Sequence, residues 1–311
     1  MKVSIIIVSF RTAELTLACI RSLRAHETIQ SYEVIVVENS GSRDFVERLH
    51  AEYPEIRAIL SERNLGFAGA NNLAAKFSNA DYLLFLNPDT LVLDQAIDEL
   101  VRYADSHTEN GIIGGRTFFP DGSVNPSSCW SKPSRWSYFC MGSGLSSVFR
   151  GSRTFDPESL AFWEGKEPLQ VDIVTGCYLL IRRGIWEKLG GFDASFFMYG
   201  EDADLCFRCH KSGSRCIVIP QSKIIHYGGH SEAFRADKII NLFKAKKQLI
   251  FKHWQRRRAK YGMHMLLWGA FNRYVACSLL STLRPELAQM ASEWRQVWQR
   301  RNEWGLTRSE G

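Results

Sequence analysis

Apolar and polar positions alternate along the first third of the chain in two periods. Compact apolar runs at 3–9, Tyr32 to Val37, Ile56 to Leu60 and 82–86 read as buried strands. Between them lie stretches of helical character: Thr12 to about His26, Ser42 to Glu52, Gly66 to Phe77, and Asp94 to Ser106. Thr12 is placed to cap the first of these, with Glu14 in its opening turn. Strand and helix in strict alternation imply right-handed crossovers and a parallel sheet covered by helices on both faces.

After residue 110 the pattern changes. Gly111 to Phe119 is extended and turns at Pro120-Asp121-Gly122, a hairpin signal. Residues 125–168 are rich in Ser, Pro, Trp and Phe without a clear period and read as a long loop. Val171 to Ile181 reads as a strand interrupted at Thr175-Gly176, and Gly184 to Lys188 as a short helix ended by Gly190-Gly191. Glu201 to Ser212 reads as a helix entered from Tyr199-Gly200, followed by two short strands, 215–219 and 223–227. From about Phe234 the chain reads as helical and basic. No internal repeat is visible.

Polar chemistry collects where strands end. The run Tyr82 to Leu86 leads into Asn87-Pro88-Asp89, which puts a carboxylate just past a buried strand. In an open parallel sheet, ligands bind beyond the carboxyl ends of the strands, and a carboxylate there suits a metal or a metal–phosphate pair. The same residues also make an ordinary turn and helix cap. Glu38-Asn39 and Arg63-Asn64 end two neighbouring strands, and Glu201-Asp202 opens a helix. Together they outline a nucleotide-sized pocket. Gly66 and Gly69 would let backbone approach a diphosphate at a helix start, or would serve helix–sheet packing. The spacing is neither a Walker loop nor a dinucleotide fingerprint.

Composition narrows this picture. With 311 residues, 45% of them hydrophobic and 23% charged, the chain can bury a sizeable core. The net charge of +6 is unevenly spread. Residues 235–311 hold 16 Lys and Arg against 5 Asp and Glu, a net of +11, while residues 1–234 carry a net of −5. A basic tail calls for an anionic partner. Its Lys244, Lys246, Lys247, Lys252, Arg256, Arg257, Arg258 and Lys260 alternate with Leu242, Phe243, Leu249, Ile250, Phe251 and Trp254. That mixture suits an amphipathic helix on an anionic leaflet or a solvated helix face; with no binding motif beside it, nucleic acid is not expected. The stretch Met263 to Leu283 has the length of a membrane span but contains His264, Asn272 and Arg273, which favours an interfacial helix. The apolar run behind Met1 is too short for a signal peptide, so a cytoplasmic chain with eight reduced cysteines is expected. Cys206-Phe207-Arg208-Cys209-His210 spells a haem-attachment motif, and Cys216 would extend it towards zinc, but these thiols fit helix packing equally well.

Six segments in order carry a family resemblance: Val8-Ser9-Phe10, Glu38-Asn39-Ser40, Asn64-Leu65-Gly66-Phe67-Ala68, Asn87-Pro88-Asp89, Thr175-Gly176 and Phe197-Met198-Tyr199-Gly200-Glu201-Asp202-Ala203-Asp204-Leu205. Over about residues 1–232 the chain resembles the family 2 inverting glycosyltransferases, and within them the rhamnosyltransferase-like branch. The resemblance implies a GT-A fold, a Rossmann-like mostly parallel sheet flanked by helices, with a C-terminal helical basic extension at 233–311. It also implies a nucleotide-sugar half at about 1–115 and an acceptor half at about 116–232. A nucleotide-sugar donor, dTDP-L-rhamnose favoured over a UDP-sugar, and a divalent cation, Mg²⁺ or Mn²⁺, come with it.

The resemblance also distributes roles. Donor contacts would come from Val8, Ser9, Phe10, Glu38, Asn39, Arg63, Asn64, Gly66, Phe67, Asn71, Asn87 and Asp89. Glu38 stands where the family usually has Asp, which leaves the base, uracil or thymine, open. Asp89 and His226 would hold the metal, with His230 a weaker candidate. Asp202 matches the family's base, with Glu201 beside it; Thr175, Gly176 and Asp204 would meet the acceptor, a saccharide or lipid-linked saccharide of cell-surface polysaccharide assembly. The enzyme would then sit at the inner face of a bacterial plasma membrane. An inverting displacement needs a base for the acceptor hydroxyl and a cation for the leaving diphosphate, so two separated carboxylates have different tasks. Two rivals remain: a nucleotidyltransferase, which lacks a basic triphosphate loop at Phe10-Arg11-Thr12, and a silent nucleotide-sugar-binding scaffold protein. A processive synthase is disfavoured, as no Gln-x-x-Arg-Trp motif occurs.

Overall fold

The computed structural model describes residues 1–25, 30–228 and 236–307. In chain order the strands are β1 (Val3–Ser9), β2 (Tyr32–Glu38), β3 (Arg57–Leu60), β4 (Tyr82–Leu86), β5 (Thr90–Val92), β6 (Asn110–Phe118), β7 (Cys129–Trp130), β8 (Leu169–Val171), β9 (Ile173–Val174), β10 (Tyr178–Arg182) and β11 (Arg215–His226). The helices are α1 (Ala13–Ala25), α2 (Arg43–Glu52), α3 (Gly66–Ala75), α4 (Ala96–Ser106), α5 (Arg135–Ser143), α6 (Leu145–Val148), α7 (Arg183–Leu189), α8 (Glu201–Lys211), α9 (Ala236–His253), α10 (Arg256–Leu283) and α11 (Ala288–Gln299). They form two compact units, one of Met1–Trp130 with Trp163–Gly228, the other of Ser131–Phe162 with the C-terminal helices.

The first unit is α/β. Its sheet runs β3-β2-β1-β4-β10-β6-β11-β5, with β8 added to β11. β1, β2, β3 and β4 are parallel, as their continuous apolar runs require of strands covered on both faces. The register carries the site. Ser9 stands beside Glu38, so the polar residues after β1 and β2 emerge on one edge. β10 enters antiparallel to β4 with Tyr178 opposite Leu86, which brings Thr175-Gly176-Cys177 against Asn87. β11 ends antiparallel to β5 with His226 opposite Thr90, one residue from Asp89.

Two local readings change. Residues 215–226 make one strand, not two; the expected break falls where the ladder to β6 slips between Ile219 and Lys223, at Pro220, which has no N–H to donate. Residues 125–168 contain the short strand β7 and helix α5, started by a capping box between Ser134 and Ser137. The helical period is masked because Trp136 lies on the solvent side while Tyr138 and Cys140 face inward.

The second unit is a helical packing around Tyr138, Ile240, Phe243, Ile250, Met263, Leu266, Trp294 and Trp304. The apolar side of α9 is therefore core. Its lysines also have internal partners: Lys244 pairs with Glu303 at 3.1 Å, and Lys247 Nζ donates to the Gly305 carbonyl at 2.8 Å. The first half of α10 packs inward through Met263, Leu266 and Ala270. Among the described residues no helix is long and apolar enough to cross a membrane.

Candidate active site

The edge of the sheet is built by side chains that tie neighbouring loops together. Glu38 is buried, and its Oε1 accepts from the Ser40 N–H at 2.7 Å, the Ser42 N–H at 3.4 Å and the Ser40 hydroxyl. Asn39 bridges to the next loop: its Nδ2 donates to Asn64 Oδ1 at 3.0 Å, and its Oδ1 accepts from the Leu65 N–H at 2.9 Å. Asn64 Oδ1 also accepts from the Gly66 N–H at 2.9 Å. Glu38, Asn39 and Asn64 thus hold the β2 and β3 exits in one fixed shape. Arg63 is exposed and contributes its carbonyl to the Ser61 hydroxyl at 2.7 Å. Ser9 is buried, with its hydroxyl 3.5 Å from that of Thr12, while Val8 is buried and Phe10 is exposed at the edge of the site.

Gly66 has φ +69°, and the approach of Phe197 leaves no room for a side chain there. A Cβ there would lie 2.2 Å from the Phe197 carbonyl oxygen, which accepts from the Phe67 N–H at 3.0 Å. The start of α3 is therefore docked on the segment that leads into α8. Asn71 is buried within α3; its Nδ2 donates to the Phe67 carbonyl at 2.9 Å, and its Oδ1 has no protein partner.

The turn after β4 forms the second group. Asp89 Oδ1 lies 3.3 Å from His226 Nε2. The Tyr227 N–H donates to the Asp89 carbonyl at 2.9 Å, which fixes the two residues across β5 and β11. Burial works against charge on His226, but the neighbouring Asp89, and after it Cys177, outweigh it and push the imidazole up to about 10. His226 Nδ1 is buried without a partner. Among the described residues, no cluster of three or more His, Cys, Asp and Glu could hold a metal by itself. One carboxylate and one imidazole do fit Mg²⁺ or Mn²⁺ that completes its shell with phosphate oxygens and water. His230 lies outside the described residues.

The third group opens α8. Asp202 Oδ2 accepts from the Gly176 N–H at 3.0 Å and Oδ1 from the Ala203 N–H at 2.7 Å. One residue on, the Cys177 carbonyl accepts from the Asn87 N–H at 2.9 Å. Asp202 and the Asn87-Pro88-Asp89 turn are thus joined through two consecutive residues, although 113 positions part Asp89 and Asp202 in sequence. Burial raises the Asp202 carboxyl, opposed by its amide hydrogen bonds. Glu201 is pushed further, to about 8, by burial first and then by the neighbouring Asp202 charge. Its Oε2 is buried without a partner. Burial and the Asp202 charge both work against ionisation of Glu201, whereas the two N–H donors on Asp202 favour its charged form. The entry to α8 is strained, with Tyr199 at φ +69° before Gly200 at +84°.

Two side chains expected at the acceptor have protein partners. Asp204 is fully buried and pairs with Arg208 Nε at 2.8 Å. The Thr175 hydroxyl donates to the Ser127 carbonyl. Cys206, Cys209 and Cys216 are buried in the core, with the Cys216 thiol against the other two. Two residues passed unnoticed in the sequence. Asn72 pairs with the Phe192 backbone in both directions, Nδ2 to the carbonyl at 2.8 Å and N–H to Oδ1 at 3.0 Å. Arg208 donates to the carbonyls of Leu189 at 2.7 Å and Gly191 at 2.8 Å. Between them they grip the start of the 192–200 segment from α3 and from α8. An Asn beside Asn71 and an Arg one turn after Asp204 were the available signals.

The sequence profile of the family described as "Glycosyl transferase family 2" matches residues 4–161. The chain belongs to that family. Among curated relatives, the O-antigen biosynthesis protein RfbC of Myxococcus xanthus is 29% identical over 244 residues, 76% of this chain and 18% of that protein. The N-acetylglucosaminyl-diphospho-decaprenol L-rhamnosyltransferase of Mycobacterium tuberculosis is 28% identical over 218 residues, 66% of this chain and 69% of its own. The dTDP-rhamnosyl transferase RfbF of Shigella flexneri is 25% identical over 201 residues, 63% of this chain and 60% of that one. The chain thus spans less than a fifth of the first of these and roughly two thirds of the others. The mannosyltransferase PcManGT from Pyrobaculum calidifontis, solved with GDP-Man and Mn²⁺, superposes with a TM-score of 0.56 at 15% identity, covering 97% of this chain and 87% of that one. The α/β unit of this family member is accordingly a GT-A fold, with a central mostly parallel sheet flanked by helices.

Proposed function

We propose that the chain is a metal-dependent inverting glycosyltransferase that moves a sugar from a nucleotide-sugar to a saccharide acceptor. The observation that carries this reading is the link from Asp202 through Gly176 and Cys177 to the Asn87-Pro88-Asp89 turn. It links Asp202, held by two N–H donors, to the turn that carries Asp89, a second carboxylate with separate partners, and the two can serve opposite ends of one displacement. Asp202 takes the proton of the acceptor hydroxyl as the oxygen attacks the anomeric carbon. Glu201, neutral, keeps a second negative charge away from that base. Asp89 and His226 would hold Mg²⁺ or Mn²⁺, which supplies charge neutralisation for the leaving diphosphate. The loops fixed by Glu38, Asn39 and Asn64 receive the nucleotide, Val8, Ser9, Phe10, Arg63, Phe67 and Asn71 flank it, and Thr175-Gly176 borders the acceptor. Asp204 acts through Arg208.

The names of the relatives favour dTDP-L-rhamnose as donor and a diphospho-polyprenol-linked saccharide as acceptor, in O-antigen or related polysaccharide biosynthesis. Such an acceptor places the protein peripherally on the inner face of the plasma membrane. The test is a thermal-shift panel of dTDP-, UDP- and GDP-sugars, each with Mn²⁺ and with EDTA. A shift with dTDP-L-rhamnose that requires Mn²⁺ is expected. No shift with any of the three would overturn the reading.

A further inference from the structure

Refining the membrane placement proposed above, we infer that the surface of the helical unit built on α5, α6 and the first turns after them is a docking face for an anionic lipid bilayer, and that α9 is not. The basic residues and apolar side of α9 invite the membrane in sequence, but its apolar side is core and Lys244, Lys246 and Lys247 all have internal partners. A row of exposed rings lies instead on a different segment.

They form a connected row. Phe149 contacts Phe155 at 5.0 Å between centroids, Phe155 contacts Trp136 at 6.4 Å, Trp136 stacks on Phe139 at 5.3 Å, and Phe139 reaches Trp268 of α10 at 6.0 Å. Val148, at the end of the one-turn helix α6, is 75% exposed; Phe149 is 46%, Trp136 45% and Trp268 40% exposed. The Trp136 indole N–H already donates to the Thr154 carbonyl at 2.6 Å, so what it shows to solvent is apolar. A contiguous exposed patch of this kind is uncommon on a monomer and marks a contact surface.

Charge selects the occupant. Arg135 adjoins Trp136, Arg150 follows Phe149, and Arg153 lies over Phe162 at 4.2 Å; all three are exposed. The acidic groups of the same segment are drawn inward: Asp156 accepts from the Gly151 N–H at 2.9 Å, and Glu158 accepts from the Ser137 hydroxyl at 2.6 Å and pairs with Lys246 at 3.6 Å. Aromatic rings that protrude between arginines, with the carboxylates withdrawn, match the headgroup–acyl boundary of an anionic leaflet. Val148 and Phe149 lie exposed at the end of α6, where a soft bilayer accommodates them without a matching groove.

The test is co-sedimentation of the full chain with vesicles of phosphatidylcholine alone and of phosphatidylcholine with 30% phosphatidylglycerol, without donor or acceptor. Binding to the anionic vesicles is expected, at least tenfold stronger than to neutral ones. The double variant V148D/F149D should lower it at least tenfold with an unchanged melting temperature, whereas K244Q/K247Q should change it less than twofold. A second pair, Arg150→Gln with Arg153→Gln, should weaken binding and flatten its salt dependence while both folded units persist. No binding to anionic vesicles, binding lost through K244Q/K247Q but kept in V148D/F149D, or a dimer in sedimentation velocity that V148D/F149D dissociates would each overturn the proposal. Since no sugar is present, such a result would leave the glycosyltransferase reading standing.

Discussion

Replacing Glu201 by Gln should stabilise the protein at neutral pH, and the gain should grow with pH. Glu201 is 6% exposed and lies at the start of α8 beside Asp202; burial, then the Asp202 charge, lift its carboxyl from 4.5 to about 8. The folded protein therefore keeps a proton that the unfolded chain releases. For a group raised in this way, the stabilising effect is whole below about 4.5 and is lost as pH climbs towards 8. One pKa unit corresponds to about 1.4 kcal/mol, so the cost at pH 7 is on the order of 3 kcal/mol and at pH 5 below about 1 kcal/mol. Gln has the shape of the neutral acid and no proton to lose, so E201Q removes the slope and leaves a constant offset from its altered hydrogen bonding. The assay is urea unfolding of wild type and E201Q at half-unit steps from pH 5 to pH 8. The stability difference should rise in favour of E201Q by about 2 kcal/mol between pH 5 and pH 7. Parallel curves across that window would show that Glu201 is ionised in the native state and would refute the division of charge between Glu201 and Asp202.

Three further outcomes follow from the same contacts. Gly66→Ala forces a Cβ onto the Phe197 carbonyl oxygen from a left-handed backbone, and should cost about 2 kcal/mol or more in thermal unfolding. Asn72→Ala removes both hydrogen bonds to Phe192; kcat should fall on the order of 10²-fold through misplacement of the 192–200 segment, while calorimetric donor affinity changes less than about twofold. Asp89→Asn should abolish the Mn²⁺-dependent part of donor affinity, at least about tenfold by calorimetry, and leave any metal-independent binding in place.

The parallel half of the fold was legible because its strands are buried on both faces and write themselves as unbroken apolar runs. The strand-end positions of Glu38, Asn39 and Asp89 were legible, since polar residues directly after buried apolar runs mark the sheet edge where ligands bind. What the sequence concealed was long-range. Nothing local tells that Gly66 serves the carbonyl of Phe197, or that Asn72 pairs with the Phe192 backbone 120 positions away. Asp204 reads like its neighbours Glu201 and Asp202, and only the helical phase turns it towards Arg208 and the interior. Helix α5 was hidden for a different reason: exposed Trp136 breaks the amphipathic pattern on which a helix is recognised. The same ring now marks a surface. The basic residues of α9 were read correctly as charge but not as internal ion pairs, because their partners Glu158 and Glu303 lie in distant segments.

The central claim is that Asp202 deprotonates the acceptor while the donor is held elsewhere. It is tested most directly by measuring donor affinity and sugar transfer side by side in wild type and Asp202→Asn, with a nucleotide-sugar that shifts the melting temperature and a diphosphate-linked saccharide acceptor. Asp202→Asn should bind the donor within about twofold of wild type and transfer on the order of 10²- to 10⁴-fold more slowly. Full transfer by the variant, or loss of donor binding in step with transfer, would contradict the assignment.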